Sequence, residues 1–84
     1  MYKYEDHKHT VFLEKNQRRF LEARDRVREL LTNGKYFDMT QAIAGLGGDS
    51  WENMALIDRL LELGEIYEVE TKNSNRIFTK RDWS

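Results

Sequence analysis

Residues 39–81, MTQAIAGLGGDSWENMALIDRLLELGEIYEVETKNSNRIFTKR, decide the fold of this 84-residue chain. Two apolar patterns of helical period come first, and Gly64 ends the second of them. The runs at 65–71 and 76–80 then change to β-branched and aromatic residues, with turn formers at 72–75 between them. This order predicts two helices followed by a β-hairpin.

Both helices of this stretch carry local start and stop signals. The short helix begins near Asp38 or Thr40, which are good N-caps, and ends at the glycines of 47–48. Asp49 offers an N-cap to the longer helix, which runs to Leu63. The turn between them holds more glycine than a tight connection needs, so we expect an unusual spacing between the two helices.

A longer amphipathic helix precedes them. Between Leu13 and Leu31, apolar residues recur at spacings of three, four and seven, with charged residues between them. Asn33 and Gly34 supply the stop, because either residue accepts the left-handed conformation of a helix C-cap. The aromatic pair 36–37 is expected in the core, leading into the short helix. The whole pattern predicts an α+β fold that is mainly helical.

At this point the chain resembles the winged helix-turn-helix superfamily over about residues 13–81. The likeness is closest in ALIDRLLELGEIYEVE, residues 55–70, where spaced apolar residues lead to a glycine and then to an apolar residue that opens the first wing strand. It implies a three-helix domain with a C-terminal β-hairpin wing over 13–81, an N-terminal extension over 1–12 and a tail over 82–84. It also implies nucleic-acid binding, with the third helix in a major groove and the wing on the backbone or minor groove.

Charge is unevenly divided along the chain. Residues 1–33 have a net charge of +2, residues 34–70 of −6 and residues 71–84 of +3. The acidic block contains the third helix, and carboxylates laid against DNA phosphates oppose binding. The charges therefore favour contact through the wing or the basic first helix over deep insertion of the third helix.

The first functional hypothesis is a small DNA-binding regulator of transcription or replication, and it allows a homodimer through the first helix. It rests on how often this architecture binds nucleic acid, and double-stranded DNA is its expected partner. The predicted contacts lie at the start of the third helix and in the wing: Ser50, Trp51, Asn53, Lys72, Asn73, Asn75, Arg76 and Lys80.

The second hypothesis is a protein-interaction module on the same frame. One stripe of the third helix holds four residues at i, i+4, i+7 and i+11, namely Trp51, Ala55, Asp58 and Glu62. This stripe presents an aromatic residue followed by carboxylates, which suits a basic protein partner. Trp51 has an alternative, since a large aromatic residue here also packs well over the glycine-rich turn.

The N-terminal residues offer few chemical groups. Tyr2, Tyr4 and Phe12 are expected either to form an extra strand or to dock on the first helix. His7 and His9 are too few for a tetrahedral metal site, so no metal is expected.

Composition excludes several further classes. The chain has no cysteine, so it has no disulfide or thiolate zinc site, and a reducing, cytoplasmic location is expected. No window is apolar enough to span a membrane. Phosphate-binding loops and nucleophile motifs are absent, and 84 residues leave little room for a water-excluding pocket. We therefore expect neither an enzyme nor a cofactor.

Overall fold

A computed structural model describes residues 1–69 and 76–80. Its helices are α1 (Tyr4–His7), a 3₁₀ helix (Lys8–Phe12), α2 (Glu14–Asn33), α3 (Met39–Ile43) and α4 (Ser50–Glu62). Its strands are β1 (Tyr36–Asp38), β2 (Ile66–Val69) and β3 (Ile77–Lys80). The predicted α+β, mainly helical class is confirmed. The expected wing turn at 72–75 and the expected tail at 82–84 lie outside the described residues.

The long helix α2 forms where the amphipathic pattern predicts it. Its apolar stripe buries Ala23 and Val27 completely or nearly so, while its charged residues face outward. The helix ends at Asn33 as expected, but Gly34 is extended, with φ −160° and ψ 175°. The chain leaves α2 directly into β1, so the left-handed C-cap predicted here was wrong.

The short helix α3 begins where predicted and ends early. Asp38 and Gln41 form a capping box, in which the Asp38 side chain accepts from the Gln41 backbone and the Gln41 side chain accepts from the Asp38 backbone. The last helical residue is Ile43, because Ala44 is extended and the glycines after it adopt positive φ. The connection to α4 therefore spans 44–49, longer than the three or four residues of a usual helix-turn-helix.

Gly48 shows why this connection needs glycine. Its φ is +73°, a conformation that costs an L-residue about 1–2 kcal/mol. A Cβ at this position would also lie against the Arg19 guanidinium. The glycine lets the backbone turn sharply and pass close to α2.

The three strands form one antiparallel sheet in the order β1-β3-β2. Phe37 of β1 faces Phe78 of β3, and their ring centroids lie 5.3 Å apart. Phe37 is a core residue as predicted, but Tyr36 points outward and is half-exposed, so its expected place in the core was wrong. Strand β1 was not predicted from the sequence, because three residues are too few to show the two-residue period of a strand.

One hydrophobic core joins the helices to the sheet. The 3₁₀ helix contributes Val11 to it, so the predicted N-terminal extension is packed against the rest of the fold. None of the helices within 1–69 and 76–80 has the length and apolar character needed to cross a membrane. The buried apolar residues are Val11, Ala23, Val27, Phe37, Met39, Ala42, Ala55, Leu56, Ile57, Leu60, Ile66 and Phe78.

Candidate interaction surfaces on α4

Helix α4 is the central element of the molecule. The Asp49 carboxylate accepts hydrogen bonds from the backbone N–H groups of Trp51 at 2.8 Å and Glu52 at 3.2 Å, which starts the helix where the sequence predicts. Gly64, at φ +79°, follows its last turn. Because α2, α3 and the sheet pack around α4, any binding surface must use the side that these elements leave uncovered.

The N-terminal segment, residues 1–12, occupies much of that side. The Tyr2 hydroxyl donates to the Asp58 carboxylate at 2.5 Å, and the Tyr4 hydroxyl donates to Glu62 at 2.9 Å. Lys8 adds an ion pair with Glu62 at 2.8 Å. Tyr2 and Tyr4 therefore dock on α4, where the sequence led us to expect an extra strand or a contact with the first long helix. The expected contact with that helix is made by the 3₁₀ helix, whose Phe12 lies beside Phe20 and Leu21 of α2.

A charged network lies beside Tyr2, at the start of the N-terminal segment. Arg76 makes a bidentate pair with the buried Asp58 carboxylate, at 2.6 and 3.1 Å, and also reaches Glu68 at 2.8 and 3.1 Å. The hydrogen bonds to Glu68 and, to a smaller extent, to Asp58 raise the pKa of Arg76. Burial and the hydrogen bond to Asp58 raise the pKa of Tyr2. The positive charge of Arg76 is thus balanced within the fold.

Three aromatic rings meet at the N-terminal end of α4, and we call them the aromatic cluster: Tyr2, His7 and Trp51. Tyr2 and His7 stack with centroids 5.5 Å apart, and Trp51 packs edge-on, with its ring centroid 5.2 Å from that of His7 and 6.4 Å from that of Tyr2. Despite these contacts, Trp51 remains 43% exposed. The cluster is a fixed aromatic surface open to solvent.

A second surface lies at the opposite end of α4, between the 3₁₀ helix and α2. We call it the apolar groove, and its volume is about 370 Å³. Three large side chains around it are about half-exposed, Phe12 at 56%, Leu21 at 48% and Leu63 at 49%. The guanidinium of Arg59 lies 5.2 Å from the Phe12 ring centroid. The residues that line the apolar groove are Val11, Phe12, Gln17, Phe20, Leu21, Arg59 and Leu63.

The residues predicted to contact nucleic acid are divided by the structure. Ser50 and Trp51 are exposed at the start of α4, and Lys80 is exposed at the end of β3. Asn53 is 3% exposed and donates to the Gly47 carbonyl at 2.7 Å, so its predicted place on a binding surface was wrong. Arg76 faces Asp58 and Glu68, as described above. The remaining predicted contacts, Lys72, Asn73 and Asn75, lie outside the described residues.

The predicted stripe for a basic partner is also divided. Trp51 and Glu62, at its two ends, are exposed, but Ala55 and Asp58, in its middle, are buried. The expectation of one continuous exposed stripe was therefore wrong, because Ala55 packs in the hydrophobic core and Tyr2 and Arg76 bind Asp58. Glu62 binds Lys8, Arg59 and Tyr4, and these hydrogen bonds lower its pKa to about 2.

Sequence reasoning missed the N-terminal part of the aromatic cluster. Tyr2 and His7 are distant in sequence from Trp51, and helical periodicity relates only residues within one element. The signal available was the presence of Tyr2, Tyr4 and Phe12 in a mostly polar segment, which indicates docking but does not identify the helix. Within the described ranges, no group of three or more His, Asp or Glu side chains is placed to hold a metal ion.

Comparison of the chain with protein-family models, with curated proteins and with solved structures finds no match.

Proposed function

We propose that this chain is a small protein-binding module without catalytic activity, and that it contacts its partner through the aromatic cluster. One observation carries the proposal: Trp51 is 43% exposed although two other rings hold it in place. Tryptophan is enriched at the energetic centres of protein interfaces. A ring that is already ordered loses little conformational entropy on binding, so more of its contact energy appears as affinity.

Charge around the cluster favours a basic partner. Asp49, which caps α4, is two residues before Trp51, and the exposed Glu5 and Asp6 on α1 lie between Tyr2 and His7 in the sequence. Glu52 follows Trp51 but is already bound by Lys15 and Asn16. Lys3 is the one basic residue between Tyr2 and His7 in the sequence. An arginine or lysine side chain of the partner would gain both from the exposed carboxylates of Glu5, Asp6 and Asp49 and from the face of the indole. We propose the cytoplasm as the setting on composition alone.

The order of elements favours DNA binding as a second candidate. The sequence α2-β1-α3-α4-β2-β3 keeps the arrangement of helices and hairpin that the winged-helix resemblance implies. We rank it second because the N-terminal segment covers the face of α4 that would enter a groove, and because Arg76 is already paired with two carboxylates. Because that face of α4 is covered, this candidate requires that DNA be bound through Lys72 and the other residues of the predicted wing turn.

Partner capture tests the first candidate. The wild-type chain should retain a partner that the Trp51→Ala variant loses, and the identified partner should then bind the purified wild type in calorimetry. We expect the variant to weaken that binding by about 30-fold or more, the effect of truncating an interface centre. Tyr67→Ala is the matched control, since Tyr67 is 50% exposed on the sheet. Equal losses from both variants would contradict the proposal.

Titration of a fluorescent mixed-sequence DNA duplex, at low and at physiological salt, tests the second candidate. Wing-led binding should weaken with salt, and Lys72→Ala should lower the salt slope by about one. Adding Arg76→Ala should lower the slope little further, because Arg76 is already paired with Asp58 and Glu68. Because Arg76 also holds Asp58, the single Lys72→Ala variant is needed to separate lost phosphate contact from altered folding. Absence of binding at low salt would remove this candidate.

A further inference from the structure

The N-terminal segment is joined to the rest of the fold through one extended residue. From Tyr4 to Asn33 the chain is helical except at Leu13, where φ is −67° and ψ is 140°. This bend turns residues 1–12 back onto α4. Residues 1–33 contain neither glycine nor proline, so no helix-breaking residue opposes a helix that continues through Leu13.

The bend at Leu13 is held by few local contacts. Within the described residues, no side chain caps the first turn of α2, because leucine occupies the N-cap position and has no acceptor. The Thr10 carbonyl accepts from the Asn16 amide at 2.9 Å and from the Leu13 backbone at 3.2 Å. In a continuous helix the Glu14 backbone N–H would donate to that carbonyl instead, since the two residues are four apart. The bent and the straight conformations therefore compete for one acceptor.

The contacts between the N-terminal segment and α4 do not depend on which copy of the chain supplies the segment. They include the hydrogen bonds from Tyr2 and Tyr4 and the ion pair from Lys8. Exchange of an identical element between two copies reproduces such contacts and is a low-cost route to a dimer. We infer that residues 1–12 exchange between two copies of this chain, each segment docking on α4 of the other copy while Leu13 becomes helical.

Exchange leaves the surface of the proposed function in place. Each half of the dimer contains one aromatic cluster, with Tyr2 and His7 from one copy and Trp51 from the other. The monomer and the dimer share the same docking contacts, so concentration decides between them and the dilute chain stays closed. Loss of partner binding by Trp51→Ala is measured on the dilute monomer, so failure of either proposal leaves the other unaffected.

Refolding from urea at about 1 μM and at about 1 mM, followed by size-exclusion chromatography with light scattering, tests the inference. The dilute sample should contain the 10.1 kDa monomer, and the concentrated sample should contain a dimer of twice that mass. Isotope-labelled and unlabelled chains are then refolded together at the higher concentration. An isotope-filtered NOE spectrum should show the His7 ring of one copy against the Trp51 ring of the other. A monomer in both samples, or ring contacts confined to one copy, would overturn the inference.

Glu14→Pro distinguishes exchange from any other association. Proline is favoured at the first residue of a helix, and the extended Leu13 has the conformation favoured before proline, so the closed monomer should fold. Within a continuous helix the same proline removes the bond to Thr10 and clashes with the preceding turn, so the dissociation constant of the dimer should rise at least about a hundredfold.

Glu14→Ala is the matched control, because it removes the same exposed side chain and keeps the backbone N–H. It should leave the dimer intact, and circular dichroism should show that both variants fold. Equal dimerisation of the two variants would contradict exchange. The NOE measurement uses the wild-type chain, so it decides the matter even if Glu14→Pro folds poorly.

Discussion

The two ends of α4 have different surfaces, although the same segment of chain covers the helix between them. At the N-terminal end, Trp51 meets rings from the N-terminal segment and stays open to solvent. At the C-terminal end, Leu63 and Phe12 border an apolar groove. Between the ends, Asp58 is buried under Tyr2 and Arg76. One side of a single helix thus offers two separate surfaces because its middle has been closed.

The closed middle should be the most sensitive part of this arrangement. Replacing Asp58 by Ala leaves Arg76 with Glu68 alone and removes the acceptor of the Tyr2 hydroxyl, so we expect a loss of about 2–3 kcal/mol in the free energy of unfolding. Urea denaturation measures it. Glu68→Ala removes the exposed partner of the same arginine and should cost less than about 1 kcal/mol. Equal losses of unfolding free energy from Asp58→Ala and Glu68→Ala would mean that the buried carboxylate contributes no more to stability than the exposed one.

Asn53 distinguishes a buried role from a binding role at the N-terminal end. Its side chain donates to the Gly47 carbonyl at 2.7 Å, so Asn53→Ala should lower the free energy of unfolding by about 1–2 kcal/mol. The exposed Ser50→Ala should change it little. Thermal unfolding of both variants checks this. A stable Asn53→Ala variant that had lost DNA binding would instead support a direct contact between Asn53 and DNA.

The two tyrosines of the N-terminal segment compare the middle of α4 with its C-terminal end directly. Tyr2→Phe removes a donor to the buried Asp58 and should cost about 1 kcal/mol, whereas Tyr4→Phe removes a donor to the exposed Glu62 and should cost about half as much. Paired urea curves give the difference. The reverse order would show that the segment is held mainly at the C-terminal end.

The smallest effect is expected from pH at that end. Hydrogen bonds from Lys8, Arg59 and Tyr4 lower the pKa of Glu62 from 4.5 to about 2. A lowered pKa means that the carboxylate stabilises the fold above about pH 4.5 and that this contribution is lost as pH falls to about 2. The difference in unfolding free energy between wild type and Glu62→Gln should therefore shrink over this interval. A constant difference would contradict the pairing.

Local signals predicted the elements of this fold better than their contacts. Helices α2 and α4 follow from apolar periodicity and caps such as Asp49, and the hairpin follows from a change of period after Gly64. Strand β1 was not predicted, because it is three residues long and is defined by its pairing with β3. The early end of α3 was not predicted, because it depends on the backbone angles of the glycines after it.

The surfaces on α4 were harder to predict for a different reason. Periodicity assigns Trp51 and Asp58 to one stripe of the helix, but it contains no information about a segment that crosses that stripe. Tyr2 and Asp58 are 56 positions apart, so no local pattern relates them. The apolar groove likewise depends on bringing Phe12, Leu21 and Leu63 together from three elements.

The same long separations have a consequence for the order of folding. Tyr2 and Tyr4 reach partners 56 and 58 positions away, so these contacts close loops of more than half the chain, and the entropy of such closure favours their late formation. On a ribosome, Asp58 and Glu62 emerge long after the N-terminus, which must wait for them. Detachment of residues 1–7 would then be the first opening step in hydrogen exchange, and it would uncover the middle of α4 while the core stayed folded.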